Sequence, residues 1–152
     1  MKIVHILILM IVLFSLVQAE DFSTGQKMTF DRQTLACEQG EPFSCLRLGD
    51  YYYLGRGVAK NISTAEDLYA KGAALMKEKC DQGVISHCTY YAGMLQAGKG
   101  VAVNVEMAYQ MYHDLCNKGD CESCGRLYYL NSQGLIFSDS QLIMCSEPVY
   151  IY

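Results

Sequence analysis

Residues 36–58 read ACEQGEPFSCLRLGDYYYLGRGV, and the chain then says much the same thing twice more. Residues 79–101 read KCDQGVISHCTYYAGMLQAGKGV, 43 positions on, with Cys80, Cys88, Gly98 and Gly100 in the places of Cys37, Cys45, Gly55 and Gly57. Residues 115–134, LCNKGDCESCGRLYYLNSQG, are a degraded third copy after a further 36 positions, keeping Cys116, Cys124 and Gly134. In every copy the cysteines stand eight apart and a glycine (Gly40, Gly83, Gly119) follows the first by three. A fixed outline at a period of this size is the mark of a repeat array.

The apolar spacing inside each copy is helical. Phe43, Leu46, Leu48, Tyr52 and Tyr53 precede Gly55 and Gly57, which suit a helix end because a left-handed residue without a Cβ closes the last turn. A second helix is expected to start at Ser63 or Thr64, with Glu66 completing a capping box, and to run through Ala65, Leu68, Tyr69, Ala73, Leu75 and Met76 to Cys80. The second copy reads alike: Ile85 to Gln96, a break at Gly98 and Gly100, then Asn104 to Cys116. The third offers a helix from about Glu122 to Ser132 and a short one near Ser138. Each unit is thus a helix-turn-helix pair, and stacked pairs predict an all-α chain, an α/α solenoid. The pairs Asn61/Asn104, Ala65/Ala108 and Tyr69/Tyr112 keep the 43-residue offset, so the seven residues that lengthen the first period fall between Tyr69 and Cys80. Four positions after the second cysteine stand Gly49, Ala92 and Tyr128; small residues admit a close neighbour, and the bulky Tyr128 reads as a cap.

Residues 1–19, MKIVHILILMIVLFSLVQA, have a lysine, an apolar run too short for a bilayer span and a small-residue site at Val17-Gln18-Ala19. They read as a secretory signal peptide, with a retained N-terminal anchor as the alternative. Residues 20–35 are a polar lead-in, flexible as far as Phe30, and the start of a capping helix; the repeats occupy 36–134, and 135–152 form a C-terminal capping segment. All eight cysteines lie beyond the signal, which predicts a disulfide framework in a secreted or periplasmic protein. The repeat register pairs Cys37 with Cys45, Cys80 with Cys88 and Cys116 with Cys124. Cys121 and Cys145 are left over and can pin the C-terminal segment. The net charge is −4 and no run of Lys or Arg occurs, so nucleic acid and anionic membrane surfaces are excluded as partners; once the signal is cleaved no membrane contact is expected.

The stretch Cys45-Leu-Arg-Leu-Gly-Asp-Tyr-Tyr-Tyr-Leu-Gly-Arg-Gly-Val58, followed by Ala65-Glu-Asp-Leu-Tyr69, resembles Sel1-like repeats, which are related to tetratricopeptide repeats. With the paired cysteines and the export signal it is similar to the cysteine-rich Sel1-type proteins of Helicobacter. That resemblance implies a disulfide-stapled solenoid with one bridge per repeat, secretion, and in some members penicillin binding with weak β-lactamase activity. The chain departs from the family in having few repeats, a lengthened helix in the first of them and the additional Cys121/Cys145 pair.

No motif assembles a catalytic site. The serine β-lactamase elements Ser-x-x-Lys and Lys-Thr-Gly are absent, and Tyr129-Leu130-Asn131 alone does not supply them. Only His87 and His113 remain beyond the signal, on different copies, so neither metal nor cofactor is expected. Cys121-Glu-Ser-Cys124 has the spacing of a thiol-exchange motif, although the register already assigns Cys124 to Cys116. Tyrosines recur at related positions; most suit core packing, and Tyr52, Tyr53, Tyr91 and Tyr129 are the candidates for a binding face. The expectation is a module that binds a protein or peptide. The rival is a weak β-lactamase or a binder of penicillin-like peptidoglycan fragments, and a weaker third is a thiol exchanger.

Overall fold

The computed structural model describes Gly25 and residues 27–134. The signal-peptide stretch 1–19, the segment 135–152 and with it Cys145 and the helix expected near Ser138 lie outside the described residues. Among the described residues six helices follow one another: α1 (27–38), α2 (Pro42–Leu54), α3 (Ile62–Asp81), α4 (Ile85–Ala97), α5 (Val105–Asn117) and α6 (Cys121–Ser132). From α2 to α6 the packing runs chiefly between neighbours in sequence, which is the arrangement of a solenoid of helix pairs. The even-numbered helices also touch each other: Phe43 of α2 meets Tyr90 of α4 edge-on at 4.8 Å, and Thr89 of α4 reaches Asp120, the residue that opens α6. No helix among the described residues is long and apolar enough to cross a membrane.

The helix ends are written locally. Glu41 accepts a hydrogen bond from the Phe43 amide while Pro42 opens α2, where its missing N–H costs nothing. Gly55 and Gly98 close α2 and α4 in the left-handed region, their amides returning to Tyr51 and Met94. Asp120 caps α6 by accepting from the Ser123 amide. The start of α3 differs from the expected capping box at Ser63 and Glu66. Asn61 is the cap, its Oδ1 accepting from the Thr64 amide at 3.1 Å, and Asn104 does the same for α5 with Met107. The asparagines win because the backbone pins them: Asn61 N–H bonds to the Tyr52 carbonyl and Asn104 N–H to that of Leu95, which presents each side chain to the first turn. Asn61→Ala should therefore cost about 1 kcal/mol in a urea titration, and Ser63→Ala close to nothing.

Disulfides join Cys37 to Cys45, Cys80 to Cys88 and Cys116 to Cys124, one at each turn from one repeat into the next. The Cys-x-x-Cys reading of Cys121 and Cys124 as an exchange pair fails here, because Cys124 is spent on Cys116 and Cys121 is itself disulfide-bonded. Cys37, Cys45 and Cys116 are almost wholly buried, so the sulfurs are part of the core. One cluster joins α3 to α6 through Ala73, Met76, Tyr109, Tyr112, Leu127 and Leu130; a smaller one gathers Phe30, Tyr51, Tyr52, Leu68 and Leu75 around the first bridge. The lead-in is thus shorter than expected. Residues 27–30 are already helical, and Phe30 sits against the rings of Tyr51 and Tyr52 at 6.1 and 5.8 Å. Three scattered apolar residues, Phe22, Met28 and Phe30, set up no helical period in this polar stretch, so only the partners of Phe30 reveal it as core.

The long first period is also accounted for. Helix α3 has 20 residues and α5 has 13, and the added length lies towards Cys80. Seven residues are close to two turns, so Gly72, Ala73 and Met76 stay on the buried face. Gly72 lets α2 approach closely: a Cβ there would stand 2.7 Å from a Leu46 methyl.

Candidate functional site

A cleft of about 810 Å³ opens where the loop after α4 crosses the first repeat. That loop, Gly98-Lys99-Gly100-Val101-Ala102, forms one side with Ala97 at the end of α4; Asp50, Tyr53 and Leu54 of α2, with Glu66, Tyr69 and Ala70 of α3, form the rest. The loop lies so close because Gly100 has no side chain. Its φ of +73° is left-handed, and a Cβ would overlap the Tyr69 carbonyl.

Asp50 is the centre of a polar cluster that spans both repeats. Its Oδ1 accepts from the Tyr69 hydroxyl at 2.6 Å and from Lys99 Nζ at 2.9 Å. The Lys99 ammonium also lies 4.4 Å from the centroid of the Tyr69 ring, within cation–π range. Gly49 makes room for this ring, since a Cβ there would stand 2.5 Å from Tyr69 Cε1. Burial, then the hydrogen bond to the Asp50 carboxylate, hold the Tyr69 phenol protonated well above its usual range. The pair Asp50–Lys99 is half exposed, so it fixes geometry more than it adds stability.

The second repeat has the tyrosine without its partner. Tyr112 matches Tyr69, but Gly93 stands where Asp50 would be. The Tyr112 hydroxyl lies 3.3 Å from the place of a Cβ on Gly93, fully buried and without a hydrogen bond among the described residues. Burial raises its pKa as well. One substitution should then have opposite effects in the two repeats. Tyr69→Phe removes a bond to a carboxylate and should lower stability by about 1 kcal/mol, whereas Tyr112→Phe relieves an unpaired hydroxyl and should be neutral or stabilising. Urea midpoints of the two variants check this.

Other polar clusters are closed or dispersed. Thr89 Oγ1 donates to Asp120 at 2.8 Å and shares a 3.1 Å bond with Ser123, both hydroxyl residues buried. This network ties α4 to α6 and offers no nucleophile to a substrate. No group of His, Cys, Asp and Glu among the described residues could hold a metal ion. His87 packs beside Phe43 at 5.5 Å, and His113 stacks on Tyr109.

The four candidate tyrosines do not come together. Tyr53 is half exposed and lines the cleft, with the Lys60 ammonium 5.7 Å from its ring. Tyr52 packs on Phe30, Tyr91 is buried in the larger cluster, and Tyr129 is exposed on α6, away from the cleft. Tyr128 is 64% exposed, the position where Gly49 and Ala92 admit a neighbouring helix in the preceding repeats. Asp50 and Lys99 escaped the sequence reading. Their only signal is a broken register: Asp50 is replaced by Gly93 in the next copy, and Lys99 stands where the first copy has Arg56.

Among solved structures, the Sel1 repeat protein from Oxalobacter formigenes is similar at 25% identity and a TM-score of 0.41, over 69% of this chain and 40% of its own. A protective antigen of uropathogenic Escherichia coli strains with an SLR fold is similar at 21% identity and a TM-score of 0.39, over 70% of this chain and 29% of its own. Cysteine-rich protein B of Helicobacter pylori is similar at 30% identity and a TM-score of 0.40, over 64% of this chain and 68% of its own. The chain therefore spans less than half the length of the first two. No family model and no curated protein matches.

Proposed function

We propose that this chain, a Sel1-like repeat protein stapled by disulfides, is an exported module that binds a protein or peptide partner in the cleft between its first two repeats. The cleft carries the reading. It has the size of a ligand site, an exposed aromatic ring in Tyr53, aliphatic walls in Leu54 and Val101, and the oriented Asp50–Lys99 pair. Nothing beside that pair supplies a nucleophile with a base, so binding without chemistry is the simpler use of it. Export is supported by the three disulfides, which persist in oxidising compartments, and by the signal-like pattern of residues 1–19.

Selection of a random-peptide phage library on the oxidised protein tests the proposal. Enriched peptides are expected to bind at least about tenfold more weakly to Ala70→Trp, whose ring would fill the cleft from an exposed position of α3. Peptides that bind both proteins alike would place the partner elsewhere. No enrichment, together with nitrocefin turnover by homogeneous protein, would favour the hydrolase activity implied by the resemblance to the Helicobacter family.

A further inference from the structure

The groups lining the cleft narrow the chemistry of what enters it. Two carboxylates, Asp50 and Glu66, face a single lining cation, Lys99. Lys99 is already engaged by Asp50 Oδ1 and the Tyr69 ring. Because the Tyr69 hydroxyl donates to that same oxygen, Asp50 Oδ2 accepts no hydrogen bond among the described residues. Glu66, exposed in the first turns of α3, has neither hydrogen bond nor ion pair among them. Lys60 at the rim leans on the Tyr53 ring and pairs with neither carboxylate. Apart from the Tyr53 and Tyr69 rings, the rest of the lining is aliphatic or backbone, with Leu54, Ala70 and Val101 the main aliphatic groups.

We infer that the cleft takes a lysine or arginine side chain of the bound peptide, its charged head meeting Glu66 and Asp50 Oδ2 and its methylene stem lying on Leu54 and Val101. The inference rests on the peptide-binding reading of the same cleft. A long basic side chain matches this lining in both parts: an apolar stem buries against aliphatic groups while the head keeps polar partners. Hydrogen bonds between a cation and a carboxylate are stronger than neutral ones, and these acceptors stand ready. A glutamate or aspartate would instead meet two like charges. The overall charge of −4 also favours approach of a basic segment.

Titration of the isotope-labelled, oxidised protein with N-acetyl-lysine methylamide tests this, with N-acetyl-norleucine methylamide as the neutral analogue. The lysine compound is expected to shift the backbone amides of Gly98, Lys99 and Gly100 saturably, and the norleucine compound to leave them unmoved. Glu66→Gln, a change at an exposed position that does not threaten folding, should weaken the response about fivefold, as should high salt. An equal response to norleucine, or no response to either compound, overturns the basic-side-chain assignment. So does a lysine response that Glu66→Gln leaves unchanged. None of these outcomes touches the peptide reading itself, which the phage selection decides separately.

Discussion

Reduction of the bridges is expected to abolish the cooperative urea transition of this protein and leave a largely unfolded chain at room temperature. Each described bridge closes a short loop, with a sequence separation of 8. Loop-closure entropy then assigns each about 2.5 kcal/mol. Taken as additive, the three contribute about 7.5 kcal/mol, which is within the whole stability of an ordinary domain, about 5–15 kcal/mol. Little else can compensate. Helices α2, α4, α5 and α6 have only 12 or 13 residues, a length at which isolated helices are marginal in water. Reduction also leaves separate thiols in a core where Cys37 and Cys45 are packed at 2% and 0% exposure. Far-UV circular dichroism during urea titration, with and without a phosphine reductant, is the measurement. A reduced protein that unfolds cooperatively at the oxidised midpoint would show that the helix packing suffices alone.

Gly100→Ala should be a severely damaging glycine replacement. The new Cβ would collide with the Tyr69 carbonyl and stand 2.8 Å from the Ala70 amide nitrogen, both backbone groups of α3 that cannot rotate away. To this overpacking, about 1–3 kcal/mol, the left-handed φ adds about 1–2 kcal/mol. A loss of about 3 kcal/mol or more is expected. Gly83→Ala is the internal control: its φ of +88° carries the same kind of strain, but nothing lies within 4 Å of the added methyl. It should lose only about 1 kcal/mol. Equal losses in the two variants would mean that the loop after α4 does not rest on α3 in solution. Peptide binding should fall with Gly100→Ala as well, because the displaced loop carries Lys99 away from Asp50.

Where sequence and structure part company, the reason is the range of the interaction. The three bridges are legible because cysteine spacing is a property of the chain over nine consecutive residues. The extension of α3 is legible because Asn61, Ala65 and Tyr69 keep step with the second copy and Cys80 does not. Capping is more ambiguous. Ser63 and Asn61 are both acceptable caps by residue type, and the choice falls to the Asn61–Tyr52 backbone bond, which closes a loop the sequence does not display. The tyrosines make the same point. Tyr90 and Tyr91 are neighbours of one type, yet Tyr90 is 48% exposed and Tyr91 8%, according to which side of α4 meets the core.

The sequence by itself determined the helix pairs, their number among the described residues, the turns between them and the cysteines that staple those turns, because each is set by periodicity or by contacts a few residues apart. Only the tertiary structure decided that Asp50, Tyr69 and Lys99, spread over 49 positions, meet at one carboxylate oxygen. It also decided that a glycine in the second repeat brings the loop down onto the first, and that Tyr112 has no such partner. The physical reason is that a repeat register specifies what is alike between copies. The cleft is built from what differs between them, brought together by packing across the junction.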